Sequence, residues 1–94
     1  EGLMRIPLAD IRYLDVRRNY VTVHADRDYT VKRPLGEFEA ELGDGFCQVG
    51  RAMIVNLRRI RCVGRASVQL TDGTTPPLPR GAYEPLNRAI IDQT

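Results

Sequence analysis

The stretch Arg17-Arg18-Asn19-Tyr20-Val21-Thr22-Val23-His24-Ala25-Asp26-Arg27-Asp28-Tyr29-Thr30-Val31-Lys32 decides the fold of this chain. Tyr20 to His24 is β-branched and aromatic, the composition of a strand. Ala25 to Asp28 reads as a tight polar turn, and Tyr29 to Lys32 returns as its hairpin partner. Before the hairpin lies Ile11-Arg12-Tyr13-Leu14-Asp15-Val16, where apolar and polar residues roughly alternate, as on a half-buried strand. Arg17, Arg18 and Asn19 break that pattern as a polar, basic corner. Short strands joined by tight turns favour antiparallel pairing.

Working outward, Leu3 to Ile6 begins another alternating stretch, interrupted by Pro7. On the C-terminal side the period changes after Lys32. Pro34 suits the first helical position, Leu35, Phe38 and Leu42 recur at helical spacing, and Gly43 supplies a stop. Glu37, Glu39 and Glu41 read as the solvated face of this short helix. Phe46 to Gly50 is strand-like and ends at Arg51, whereas Met53 to Leu57 is an apolar patch too short to classify. Ile60 to Val63 and Ala66 to Leu70 read as alternating strands. Asp72-Gly73 favours a type I′ hairpin turn. Thr75 to Leu78, with Pro76 and Pro77, reads as an edge or irregular strand, since proline donates no ladder bond. A final helix is expected from Gly81 to about Ile91, with Tyr83, Leu86 and Ile90 on one face and Pro85 in its first turn. The expected fold is mainly β: an elongated antiparallel β-sheet sandwich with one short helix between strands and a short C-terminal helix. Residues 1–94 form a single domain on this reading.

Ninety-four residues allow one modest core. The formal charge is only +2, so no large non-specific field surrounds the chain. Of the 14 basic residues only Lys32 is lysine. Arginine presents a planar fork of donors suited to phosphates and guanine edges; the codon bias of a GC-rich genome accounts for such an excess equally well. Cys47 and Cys62 form no CxxC pair and the chain has a single histidine, His24, which falls short of a zinc framework. Both cysteines read as small buried thiols, and His24 as pointing to solvent or to a cross-strand neighbour. No apolar run approaches the roughly 18 residues of a membrane helix. No Gly-rich phosphate loop, GxSxG or HExxH is present, so no catalytic residue, metal ligand or cofactor is expected.

What remains are corners where arginines and amides gather: Arg17 to Tyr20, Gln48 to Arg51, Asn56 to Arg59, and Arg80. Any one of them reads as an ordinary solvated loop. Recognition residues are nevertheless commonly carried on loops of a rigid sheet. Corners sharing one edge would make a row of donors, with arginine forks matching guanine O6/N7 and Asn or Gln matching adenine N6/N7. Periodicity leaves that sharing open.

Ile11 to Asp15 with Asn19-Tyr20, then Phe46 to Arg51 with Ile54 to Leu57 and Ile60, then Leu70 to Gly73 with Leu78, Arg80 and Tyr83, form an ordered set. Together they resemble the LytTR-type DNA-binding domain of bacterial response regulators across nearly the whole chain. The resemblance implies sequence-specific binding of double-stranded DNA through loops, without a recognition helix, at tandem direct repeats upstream of promoters. It implies a cytoplasmic transcription regulator of which this chain is a piece, following a receiver or sensor domain, without membrane contact of its own and with a homodimer on DNA as one arrangement. Asn19, Arg51 and Arg80 are the leading DNA-contact candidates it implies. Arg18, Tyr20, Gln48 and Asn56 follow, and Arg58 and Arg59 add phosphate-directed cations. Asn56 alternatively ties down its own backbone turn, and Tyr20 serves equally as a core or edge aromatic.

The chain departs from the family's usual His-Arg-Ser, where it has Gly50-Arg51-Ala52. Gln48 stands in place of an arginine, and Pro79 in place of a serine before Arg80. Those losses imply a different DNA preference or more reliance on phosphates. The alternative is a protein-interaction module that has lost specific DNA reading.

Overall fold

The computed structural model describes residues 6–93. Its elements run β1 (Tyr13–Arg17), β2 (Tyr20–His24), β3 (Asp28–Val31), α1 (Leu35–Leu42), β4 (Phe46–Val49), β5 (Met53–Asn56), β6 (Ile60–Val63), β7 (Val68–Leu70) and α2 (Tyr83–Gln93). The first five strands form one sheet in the order β3-β2-β1-β5-β4, and β6 pairs with β7 in a second sheet. Every pairing is antiparallel. The body measures 37 × 25 × 24 Å. Fold class, antiparallel pairing and both helices agree with the sequence reading.

Side chains alternate across a strand, so the register Leu14↔Ile54 beside Tyr13↔Val55 sends neighbouring pairs to opposite faces of the large sheet. On one face Leu14, Val21, Val23 and Ile54 pack with Leu35 and Leu42 of α1. On the other, Val49, Met53 and Val55 pack with Val68, Leu70, Leu78 and Leu86 from the small sheet and α2. The layers are therefore α1, the large sheet, then the small sheet with α2. Strand β5 lies between both cores and is buried along its whole length. A strand buried on two faces has no polar side to alternate, which is why Met53 to Leu57 carries no readable period.

Several expectations need correction. Residues 3–5 of the strand expected at Leu3 to Ile6 lie outside the described residues, and Ile6 is not in a strand. The next strand starts later than expected, at Tyr13, because Arg12 is preceded by a 3₁₀ turn at Leu8–Asp10. Pro34 caps α1 with φ −63° and ψ 140° and is not its first helical residue. Gly43 ends that helix in the left-handed region, φ 84°, with its N–H on Glu39 O at 3.3 Å. Strand β6 does not alternate; a register irregularity between Ile60 and Cys62 leaves Arg61 and Cys62 both exposed. The expected type I′ turn is also absent, since that turn needs positive φ at both central residues and Asp72 has none. Gly73 donates to Leu70 O at 3.0 Å and takes the positive φ itself, while Asp72 Oδ1 accepts from Thr74 N at 3.1 Å.

The thiols differ from expectation too. Both cysteines are free; Cys47 is half-buried, but Cys62 is exposed. Burial, and then the Glu39 carboxylate, push the Cys47 thiol above its ordinary value. His24 does face a cross-strand neighbour: its ring stacks on Tyr13 at 4.1 Å and its nitrogens lie 3.1 Å from Asp15 and 3.0 Å from Asp28.

Candidate nucleic-acid interface

Strand direction sorts the polar corners into two groups. Strand β1 ends at Arg17 opposite Tyr20, so Arg18 and Asn19 form a two-residue turn at one end of the large sheet. Strand β5 begins, paired antiparallel to β1, with Met53 opposite Asp15. Hence the Gly50–Ala52 turn between β4 and β5 lies at that same end, and Ala52 O accepts Val16 N–H at 2.9 Å. The segment after β7 returns in the same direction: Val68 N–H bonds Pro76 O at 3.1 Å and Leu78 N–H bonds Ala66 O at 2.9 Å. It delivers Pro79 against Gly50, and Arg80 beyond it.

Three loops remote in sequence thus meet at one end, carrying Arg17, Arg18, Asn19, Arg51 and Arg80 with no carboxylate among them. All five are exposed, as is Tyr20, which shows 51% of its surface. Among the described residues, the side chains of Arg17, Arg18, Arg51 and Arg80 make no hydrogen bond or ion pair within the chain. Arg17 and Arg51 line a groove of about 360 Å³ together with Val49, Met53, Pro77 and Pro79, and the carboxylate of Asp15, from within β1, lines it as well. Arg18 holds φ 59°, a left-handed conformation that costs a residue with a β-carbon roughly 1–2 kcal/mol. Gln48 is half-buried, and its Nε2 donates to Gly50 O at 3.2 Å, holding the turn from β4.

The fourth corner lies elsewhere. Because β5 runs away from this end, Asn56, Arg58 and Arg59 arrive at the opposite one. Asn56 is 4% exposed and every polar atom of its side chain is engaged. Its Nδ2 donates to Ile11 O at 2.7 Å, and its Oδ1 accepts Arg58 N–H at 3.0 Å, capping a 3₁₀ turn at Leu57–Arg59. Of the two roles open to Asn56, the structural one has the geometry. Arg59 donates through Nη2 and Nε to Ala9 O at 2.6 and 3.0 Å, whereas Arg58 is exposed. Charge at this end is mixed: Asp10, Arg12, Asp26, Arg59 and Asp72 share one shallow depression, and Arg12 is paired with Asp72. The Asp72 carboxyl is held below its ordinary value, chiefly by the Thr74 hydroxyl and further by the Thr74 N–H and Arg12.

Two features of the basic end went unread in the sequence. Arg65, in the β6–β7 connection, stacks its guanidinium 4.7 Å from the centre of the Tyr83 ring, beside the start of α2. Lys32 follows β3 where Val31 pairs with Val21, next to Tyr20. Arg65 has no basic neighbour in sequence and Lys32 only Arg33, whose guanidinium is taken up by Glu37 and Glu41, so strand pairing is what places them there. No group of three His, Cys, Asp or Glu side chains among the described residues is arranged to hold a metal ion. Among the described residues no helix is long and apolar enough to cross a membrane.

No curated protein matches the chain in sequence. Among solved structures it is similar to the LytTr DNA-binding domain of a Bacillus cereus protein described as a methyl-accepting/DNA response regulator. That match has a TM-score of 0.80 at 23% identity and covers 96% of this chain and 89% of that one. At that identity the likeness speaks for the fold. The family model of the LytTr DNA-binding domain matches residues 1–91. With nearly the whole sequence matched and the basic loops gathered at one end of the sheet, the chain belongs to the LytTR family of DNA-binding domains.

Proposed function

We propose that this domain binds double-stranded DNA sequence-specifically through the end of the large sheet that carries Asn19, Arg51 and Arg80. It acts as the output domain of a cytoplasmic bacterial transcription regulator, downstream of a receiver or sensor domain. The observation that carries the reading is the convergence of three loops bearing arginines whose side chains have no partner among the described residues, with no carboxylate in those loops. Arginine forks match guanine edges bidentately, and an asparagine amide matches adenine. In this assignment Arg51 and Arg80 read guanines and Asn19 reads an adenine. Arg17, Arg18 and Tyr20 sit beside them and contact phosphates and sugars, which position the protein without specifying sequence. Gln48 supports the turn that carries Arg51. Arg58 and Arg59, at the opposite end, fall outside the contact surface. Following the family resemblance, two copies of the domain occupy a site of two direct repeats.

The test is enrichment of bound sequences from random duplexes, followed by affinity measurements on the enriched duplex and a scrambled one. Wild-type protein should enrich a sequence holding two direct copies of a short motif and bind it two to one. Arg80→Ala should lower discrimination between the enriched and scrambled duplexes by roughly 5- to 150-fold, since a bidentate base contact is worth roughly 1–3 kcal/mol. Absence of any enriched sequence, or unchanged discrimination in Arg80→Ala, sinks the assignment.

A further inference from the structure

We propose that Gly50 and Pro79 form a fixed contact that locks the β4–β5 turn and the turn carrying Arg80 into one unit. Both are thereby positioning residues that set the register between Arg51 and Arg80. The inference rests on the DNA-reading assignment of this end of the sheet.

Gly50 is demanded twice. Its φ of 66° is a conformation that L side chains rarely adopt. A β-carbon built on it would also lie 2.9 Å from Pro79 Cγ and 3.4 Å from Pro79 Cβ, so the proline ring occupies the space a side chain would need. Each side of the contact is anchored in the fold. The Gly50 carbonyl is held by the Gln48 amide at 3.2 Å, and Ala52 is tied to β1 through Val16 N–H at 2.9 Å. Pro79 has its own φ fixed by its ring. Its carbonyl accepts Ala82 N–H at 3.2 Å, with Gly81 at φ 85° in between. Ala82 O then accepts Leu86 N–H at 3.1 Å, and Leu86 is fully buried. Arg80 therefore hangs on the tip of a short turn rooted in α2, while Arg51 directly follows the glycine that turn leans on.

Neither Gly50 nor Pro79 has a side-chain polar group, so what they give is geometry. A methyl group at position 50 must push Pro79 away and move Arg80 relative to Arg51. Bidentate bonds to base edges weaken steeply with misplacement and misalignment. Attraction to phosphate is a long-range charge effect, and it survives. The contact thus governs discrimination between sequences far more than affinity for DNA as such.

The experiment compares wild type, Gly50→Ala, Pro79→Ala and the double variant, by fluorescence anisotropy on the duplex that wild type enriches and on a scrambled duplex. Gly50→Ala should lower the ratio of the two affinities about tenfold, the worth of one well-formed base contact, and leave the scrambled-duplex affinity within about twofold. Pro79→Ala, at an exposed position, should lower the ratio by a smaller factor. The double variant should return to the Pro79→Ala level, because the atom met by the new methyl is gone. The φ strain persists in both variants carrying Gly50→Ala, so a purely structural effect would be shared by them, and the rescue separates the two explanations. A wild-type ratio in Gly50→Ala, or a double variant whose loss is the product of the single losses, overturns the proposal. If Gly50→Ala does not fold, Pro79→Ala decides alone, and an unchanged ratio there overturns it. Should wild type enrich nothing, the DNA-reading assignment falls and this inference with it.

Discussion

On the proposed DNA-binding reading, Arg18 carries a conflict between fold and function that one substitution can expose. Its left-handed φ of 59° costs roughly 1–2 kcal/mol relative to glycine, while glycine's extra freedom in the unfolded chain returns about 0.5–1 kcal/mol of that. Arg18→Gly should therefore raise the unfolding free energy by about 0.5–1 kcal/mol in urea titration and at the same time weaken DNA binding. A variant that is less stable than wild type would show that the turn is not strained. Asn56 predicts the opposite pattern. Asn56→Ala removes a cap and leaves the Ile11 carbonyl without its donor. The two losses sum to about 2–3 kcal/mol of stability, read from the same titration. The sequence put Asn19, Arg51 and Arg80 at polar corners and ranked Asn56 behind them with two roles open, a DNA contact or a tie on its own backbone turn, without deciding between the two. An amide at a strand end looks the same whether it faces solvent or caps a buried turn. Gly50 and Pro79 likewise read as lost polar side chains, and only pairing shows them in contact.

At the scale of elements, the turn after β7 joins the two sheets at the mixed-charge end, where Asp72 accepts from Thr74 and pairs with Arg12 ahead of β1. The Asp72 carboxyl is lowered in the folded chain, so its stabilisation is present above the ordinary carboxylate range. It is lost as pH falls through that range toward the lowered folded value. Asp72→Asn should thus be less stable than wild type at neutral pH, and the two unfolding curves should converge in acid. Glu41, lowered by Arg33, contributes an acid loss common to both proteins, so the difference between them isolates Asp72. A gap that persists unchanged at low pH would remove the charge from the explanation. The hairpin of β2 and β3 and both helices were legible because each has one buried face, giving a clean period of 2 or 3.6. Strand β5, buried on two faces, was not; β6 was read at its observed bounds, Ile60–Val63, but its register irregularity removes the alternation expected of it.

Over the whole molecule, a net charge of +2 conceals a division. One end collects Arg17, Arg18, Arg51 and Arg80 without carboxylates in its loops, while at the other Arg12 pairs with Asp72 and Arg59 bonds the chain's own backbone. Strand β1 alone, at about 3.3 Å per residue over five residues, separates these ends by roughly 16 Å. That is about two Debye lengths at physiological ionic strength. A cation at the far end is then nearly invisible to DNA held at the near one. Each phosphate neutralised contributes about 0.9 to the slope of log affinity against log salt. Arg17→Ala, at a position the proposed reading assigns to phosphate, should lower that slope by about one on any duplex. Arg58→Ala, exposed but at the opposite end, should leave both slope and affinity as they are, measured over the same salt series. Equal losses from the two substitutions would mean that DNA lies along the body of the sheet and not across its end.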